Sequence, residues 1–238
     1  MIILGIDTSS TDLSVCLSAD GFPLSIINRY VKNSHAEHIT QAVTMAISFG
    51  GLRACDVTHV AVSVGPGSFT GLRIGLSFIK GFCMMAERKA IPISSLMVLA
   101  HAACGHLPNK RGRIFTALDA RQGRVHWGGF ICNDGVNTGI SRLTNDRLSL
   151  PEELLGELLP DDILVTDTMG YSRSTVFQMF EGKTGIIRAE KSSLSRALSC
   201  ASIAFDNIGN EPLWLSASQI VPNYLQASAA EEKRAMCS

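Results

Sequence analysis

The stretch VAVSVGPGSFTGLRIGLSFIKG, from Val60 to Gly81, constrains the fold more than any other. An apolar run broken only by Ser63 meets Gly65-Pro66-Gly67, and a helical period follows. Such a run bounded by turn residues reads as a buried strand. Ser68 or Thr70 supplies a side-chain oxygen to cap the helix that begins there. Strand, tight turn and helix in succession is the repeating unit of a layered α/β sheet. Gly65 and Gly67 permit positive φ, and the N–H groups of a first helical turn hold anions well. Two uses stay open: a phosphate-binding turn built on Gly65, Gly67, Ser68 and Gly71, or a turn whose glycines allow close packing. Neither G-x-x-x-x-G-K-[ST] nor G-x-G-x-x-G with a following acid is present.

The flanking elements fit the same architecture. IILGID is a short apolar strand ending in Asp7; LSVCLSA and PLSIINRYV alternate as antiparallel strands do. Residues 33–50 repeat at helical period, with Ser34 and Glu37 spaced as a capping box and Gly50-Gly51 as the stop. Strand 57–64, helix 70–88, a short strand at Pro92 and helix 95–104 complete a first lobe, 1–106. RIFTALDARQGRVHWGGF then repeats the plan of IILGIDTSSTDLSVCLSA: a strand ending in an acid, Asp119, then a tight turn and an outgoing strand. A second lobe, 107–226, adds helix 151–158, strand DILVTD and helix 193–208. Residues 227–238 carry no apolar period and are expected to be a mobile tail.

The helix after the glycine turn carries more apolar surface than one sheet needs. Arg73, Lys80 and Glu87 form one narrow polar stripe. Gly71, Gly75, Phe78 and Phe82 lie opposite it; Leu72, Leu76, Ile79 and Cys83 form one flank, Ile74, Gly81 and Met85 the other. A helix covering one sheet needs an apolar arc of about 100°. The surplus points to a second cover, and burial of each large flank side chain is worth about 1.5–3 kcal/mol. Helix 33–50 shows a second face too, His38, Ala42, Met45 and Phe49. These residues, with the Leu72–Cys83 flank, are the expected partner interface.

Other chemistry is sparse. Asp7 after a buried strand suits a metal or phosphate-bound water, or a turn cap. His35 and His38 have no third ligand at persuasive spacing and read as surface histidines. No Ser–His–Asp arrangement can be assembled. Lys+Arg and Asp+Glu balance at 21 each, which argues against a chain that grips nucleic acid alone; the one local basic run is Lys110, Arg111, Arg113. Seven cysteines form no C-x-x-C pair and read as small, inert hydrophobes of a reduced, cytoplasmic protein. No apolar run reaches the ~18 residues of a membrane span.

ILGIDTSS, SHAEHI, GPGSFTGLRIG, ALDARQGRVHWGGF and VPNYLQ occur in order over nearly the whole chain. Together they closely resemble the TsaB (YeaZ) family. The resemblance implies the ASKHA fold, an actin-like and sugar-kinase-like duplication with a mixed, helix-flanked sheet in each lobe. It implies a noncatalytic subunit in the synthesis of N6-threonylcarbamoyladenosine, beside the anticodon of tRNA. In that system the TsaD paralogue holds the metal and transfers the threonylcarbamoyl group. TsaB pairs with it through first-lobe helices, and the ATPase TsaE joins them. TsaD's metal ligands include two histidines four residues apart and a late aspartate. Here the histidines are three apart and WLSASQIVPNYL has no aspartate, so no metal site carries over. VTDTMGYS offers only Gly170 for an adenosine motif. The expectation is therefore a degenerate nucleotide site at Asp7, Gly65, Gly67, Ser68 and Gly71, with no cofactor of the chain's own. ATP or ADP would sit only at the surface shared with the partner, and tRNA would be reached only through the complex. The alternatives are an active ASKHA phosphotransferase or metallopeptidase, and a homodimeric binding module.

Overall fold

The structure, a computed structural model, describes residues 1–32, 34–105, 112–133, 139–167, 175–180, 185–189 and 195–225. The first sheet contains β1 (Ile2–Asp7), β2 (Asp12–Ala19), β3 (Phe22–Tyr30), β4 (His59–Gly65) and β5 (Lys89–Ser94), in the order β3-β2-β1-β4-β5. The second contains β6 (Gly112–Arg121), β7 (Arg124–Cys132), β8 (Ile140–Arg142), β10 (Ile163–Asp167) and β11 (Gly185–Ala189), in the order β11-β10-β6-β7-β8, with β9 (Arg147–Ser149) also paired to β7. In each sheet a strand ending near an aspartate pairs antiparallel with its hairpin partner and parallel with a later strand. β1 lies between β2 and β4, and β6 lies between β7 and β10. The two aspartates close the same local turn: Asp7 Oδ1 accepts the Ser9 N–H at 3.1 Å and Asp119 Oδ1 the Arg121 N–H at 2.7 Å. The internal repeat read from sequence is thus a structural duplication.

Parallel strands need crossovers, and the helical segments supply them. α1 (His35–Phe49) joins β3 to β4, and α2 (Phe69–Met84) joins β4 to β5. Alternation sorts the strand residues by face. Leu4, Ile6, Leu13, Val15 and Leu17 pack with α1 and α2. Ile3, Cys16 and Ala61 pack with α5 (Arg196–Asp206) on the other face. α3 (Ser95–Cys104) sets Leu96, Leu99 and Ala103 against β6, β7 and β10. α4 (Pro151–Glu157) contributes Leu154 to the second sheet's other core, around Phe115 and Trp127.

Several sequence expectations change. Residues 196–225, assigned to the second lobe, return to the first sheet: Leu215 bridges Ala90, and the Asn223 N–H donates to Val64 O at 2.8 Å. Gly5 makes this possible, because a Cβ there would overlap Ala197 O of α5. Ser34 does not form a capping box; its Oγ donates to Val31 O at 2.7 Å. α2 stops at Met84 rather than 88, because the Arg88 guanidinium turns inward. It donates to Val57 O, Phe82 O and Ala54 O at 2.7–2.8 Å. Cys104 and Cys132, read as unpaired, are joined by a disulfide with Cα atoms 6.1 Å apart, since α3 ends over the end of β7. Burial pushes the Cys16 thiol up to about 12 and Cys83 to about 11. The boundary at 106–107, Lys110, Arg111, Gly170 and the tail 227–238 lie outside the described residues.

Burial lowers the pKa values of His101 and His126 to about 4. The unfolded chain takes up these protons near 6.5, so it binds more protons than the native state between those values. Stability is therefore full above about pH 6.5 and falls as pH drops toward 4. Urea midpoints measured across that window should decline; a flat profile would contradict the burial of both rings.

Candidate functional site

The residues expected at a nucleotide site do come together, around the turn between β1 and β2. Gly65 (φ +115°) and Gly67 (φ +155°) swing the chain from β4 onto α2. Their neighbours consume the polar groups. Ser9 O accepts the Ser68 N–H at 2.7 Å, and Ser68 Oγ accepts the Gly71 N–H at 3.2 Å. The Gly65 N–H goes to Ser95 Oγ at 3.1 Å. A Cβ at Gly67 would overlap Ser9 O, one at Gly71 would overlap Thr8 O, and one at Gly75 would overlap Thr8 Oγ1. These glycines bring the turn and α2 against the Thr8–Ser9 backbone and the Thr8 side chain. Asp7 is fully buried and receives the Ser9 hydroxyl on both carboxylate oxygens at 3.0 Å. Arg196 Nη1, from the first residue of α5, donates to the same hydroxyl at 3.3 Å. The N–H groups of Gly65, Ser68 and Gly71 are thus used inside the protein, and the space beside Gly67 and Gly71 is filled by Thr8 and Ser9.

The histidines do not pair as ligands. His35, expected at the surface, is only 3% exposed, and its Nε2 has no hydrogen-bond partner. Burial lowers its pKa, and backbone groups of Asp12 and Ser10 oppose this. His38 is half-buried. Among the described residues no three His, Cys, Asp or Glu side chains converge as a metal site, and no helix is long and apolar enough to cross a membrane.

The expected partner flank is corrected. Leu72, Leu76, Ile79 and Cys83 are each at most 4% exposed, and all but Leu72 join the core cluster over the first sheet. The contact of α2 with Thr8 and Ser9 rotates that flank onto the strands. Ala42 is buried in the same core. Met45 and Phe49 are exposed, at 38% and 68%. With His38 they lie on the side of α1 turned away from α2, about half a turn round a 3.6-residue helix.

What remains open is a groove of about 760 Å³ between α1 and α2. Its apolar lining comes from Val43, Ile47, Leu52, Phe78, Phe82 and Met85. Short side chains at Thr40, Thr44, Ser48, Ser77 and Gly81 keep it open. Phe78 and Phe82 stack with centroids 6.1 Å apart, and Arg88 lies 4.6 Å from the Phe82 ring. Beside the groove Met84 and Met85 are 76% and 73% exposed. An open apolar cleft bounded by two helices is the form of a docking surface. Of the second flank read from sequence, Gly81 and Met85 line the groove, together with Phe78 and Phe82, which were placed opposite the polar stripe.

A family model described as "TsaD: tRNA N6-adenosine threonylcarbamoyltransferase" matches residues 26–199. The chain is 28% identical to the tRNA threonylcarbamoyladenosine biosynthesis protein TsaB of Bacillus subtilis (strain 168), over 98% of its own length and 97% of the relative's. The chain belongs to this family, in its TsaB (YeaZ) group. Its identity to the Escherichia coli (strain K12) TsaB is 35%, over 53% of this chain and 54% of that one, so the match spans about half of that relative. The structure titled YeaZ from Pseudomonas aeruginosa superposes with a TM-score of 0.78 at 24% identity, covering 94% of this chain and 99% of that one. The fold is thus the duplicated actin-like, sugar-kinase-like ASKHA architecture.

In this TsaB-group chain the glycines of α2 are separable by their surroundings. Gly71 faces backbone, whereas nothing lies within 4 Å of a Cβ at Gly81. Gly71→Ala should destabilise by about 1–3 kcal/mol through overpacking. Gly81→Ala should stabilise by about 0.5–1 kcal/mol through helix propensity. Chemical denaturation of the two variants checks the contrast; equal effects would refute the packing role of Gly71.

Proposed function

We propose that the chain is a noncatalytic partner subunit in the synthesis of threonylcarbamoyladenosine on tRNA. In this reading the α1–α2 groove docks a TsaD-like catalytic paralogue. The open apolar groove carries the proposal: its floor of Phe78 and Phe82 is a surface that association would remove from water. The names of the Bacillus and Escherichia relatives support the pathway. The internal use of Asp7, Ser9, Ser68 and Arg196 supports a subunit that brings no nucleotide of its own. ATP or ADP belongs at the shared surface, a TsaE-like ATPase joins the pair, and tRNA is met through the assembly in the cytoplasm.

A homodimeric binding module is the second reading, since the same groove is open to another copy when the paralogue is absent. An active phosphotransferase or metallopeptidase is less well supported, because Asp7 and His35 are both buried.

Titration calorimetry with the cognate paralogue tests the choice. Phe78→Asp should weaken docking by at least about 30-fold, the ~2 kcal/mol of an interface hot spot. Its fold should survive, because Phe78 is only partly buried. Leu76→Asp should instead unfold the chain, because Leu76 is 4% exposed in the core. Wild-type docking by Phe78→Asp would reject the groove, and absence of any complex with the wild-type chain would reject the partner role.

A further inference from the structure

Arg73 stands on the exposed face of α2, one helical turn before the groove residue Ser77. Its guanidinium is held flat. The Cζ atom lies 3.9 Å above the centroid of Phe69, and Nε donates to Tyr224 Oη at 3.0 Å. Phe69 and Tyr224 themselves meet with ring centroids 5.0 Å apart. Tyr224 is anchored in turn, since the neighbouring Asn223 N–H is bonded to Val64 O at 2.8 Å. Two aromatic rings and one hydrogen bond therefore hold the cation, which is exposed and whose two terminal nitrogens have no hydrogen-bond partner among the described residues. No carboxylate of the described residues is within ion-pair distance of it.

The other arginines near the groove are committed. Arg53 is paired with Asp56 at 3.1 Å, and Arg88 gives its donors to three backbone carbonyls. A planar guanidinium fixed in advance, with two unengaged nitrogens, matches the two oxygens of a carboxylate and loses little side-chain entropy on binding one. We infer that Arg73 is the specificity-determining cation of the docking face and receives an Asp or Glu side chain of the docked paralogue. This rests on the groove being that face. A phosphate of RNA would also fit two nitrogens. However, a phosphate-binding surface gathers several cations, whereas the next cation on the stripe, Lys80, stands seven residues on, followed by Glu87, in a chain with equal numbers of acids and bases.

The test is titration of the cognate paralogue into the full-length chain, as wild type, R73A, R73K and Y224F, at low and high salt. R73A should weaken docking about tenfold or more at low salt and flatten its salt dependence. R73K should regain only part of the loss, because an ammonium keeps the charge without the fork. Y224F should lose about threefold, because the cation is no longer held in plane. R73K melting at the wild-type temperature shows that the losses are not unfolding. R73A docking like wild type, or R73K docking like wild type, would overturn the assignment. So would a loss confined to tRNA retention by the assembled complex. If Phe78→Asp also docks like wild type, the groove reading fails; if only the Arg73 variants do, the groove stands and this inference alone falls.

Discussion

The first lobe is organised by one close contact, that of the first two turns of α2 with the backbone of Thr8 and Ser9. Gly67, Gly71 and Gly75 present no side chain there, and Ser9 O takes the Ser68 N–H as the helix starts. A helix held this near the strand end has its rotation set. Leu72, Leu76, Ile79 and Cys83 then face the sheet, and Ile74, Phe78, Gly81 and Met85 are left toward α1 and the outside.

The same contact decides the chemistry. In a layered α/β fold, ligands usually sit at the carboxyl ends of strands, where Asp7 and the glycine turn lie. Here the polar groups at that place satisfy one another, and Arg196 brings a buried cation from α5 to Ser9. Asp7, Ser9, Ser68 and Arg196 are paired within the chain, while the buried Thr8 hydroxyl is packed against Gly75. On the helices the protein leaves an apolar cleft open, lined by Phe78, Phe82, Ile47 and Leu52.

Much of this was legible in the residues. Asp7 and Asp119 at equivalent strand ends announced the duplication, and each closes the same turn with the residue two further on. The wide apolar arc on α2 was legible too, and within the chain α1 and the Ala217–Ile220 segment cover part of it. Which flank took which role was not legible, because periodicity gives angles round a helix but not its rotation on the sheet. That rotation is a tertiary fact, set by Thr8. The return of residues 196–225 was hidden for a related reason. Gly5 and the small residues Ala197, Ala201 and Ala204 admit α5 to the first sheet, and such close approaches leave no hydrophobic pattern. The pairing of Cys104 with Cys132 depends on where α3 ends over β7, and spacing in sequence does not convey that.

The central claim is that the α1–α2 groove is the surface by which this chain meets its catalytic partner. Hydrogen–deuterium exchange of the chain, alone and with the cognate paralogue, addresses it most directly. Protection on mixing should concentrate in peptides spanning 40–54 and 73–85, with the second sheet unchanged. Protection confined to the second sheet, or to the β3 edge beside Phe49, would contradict it.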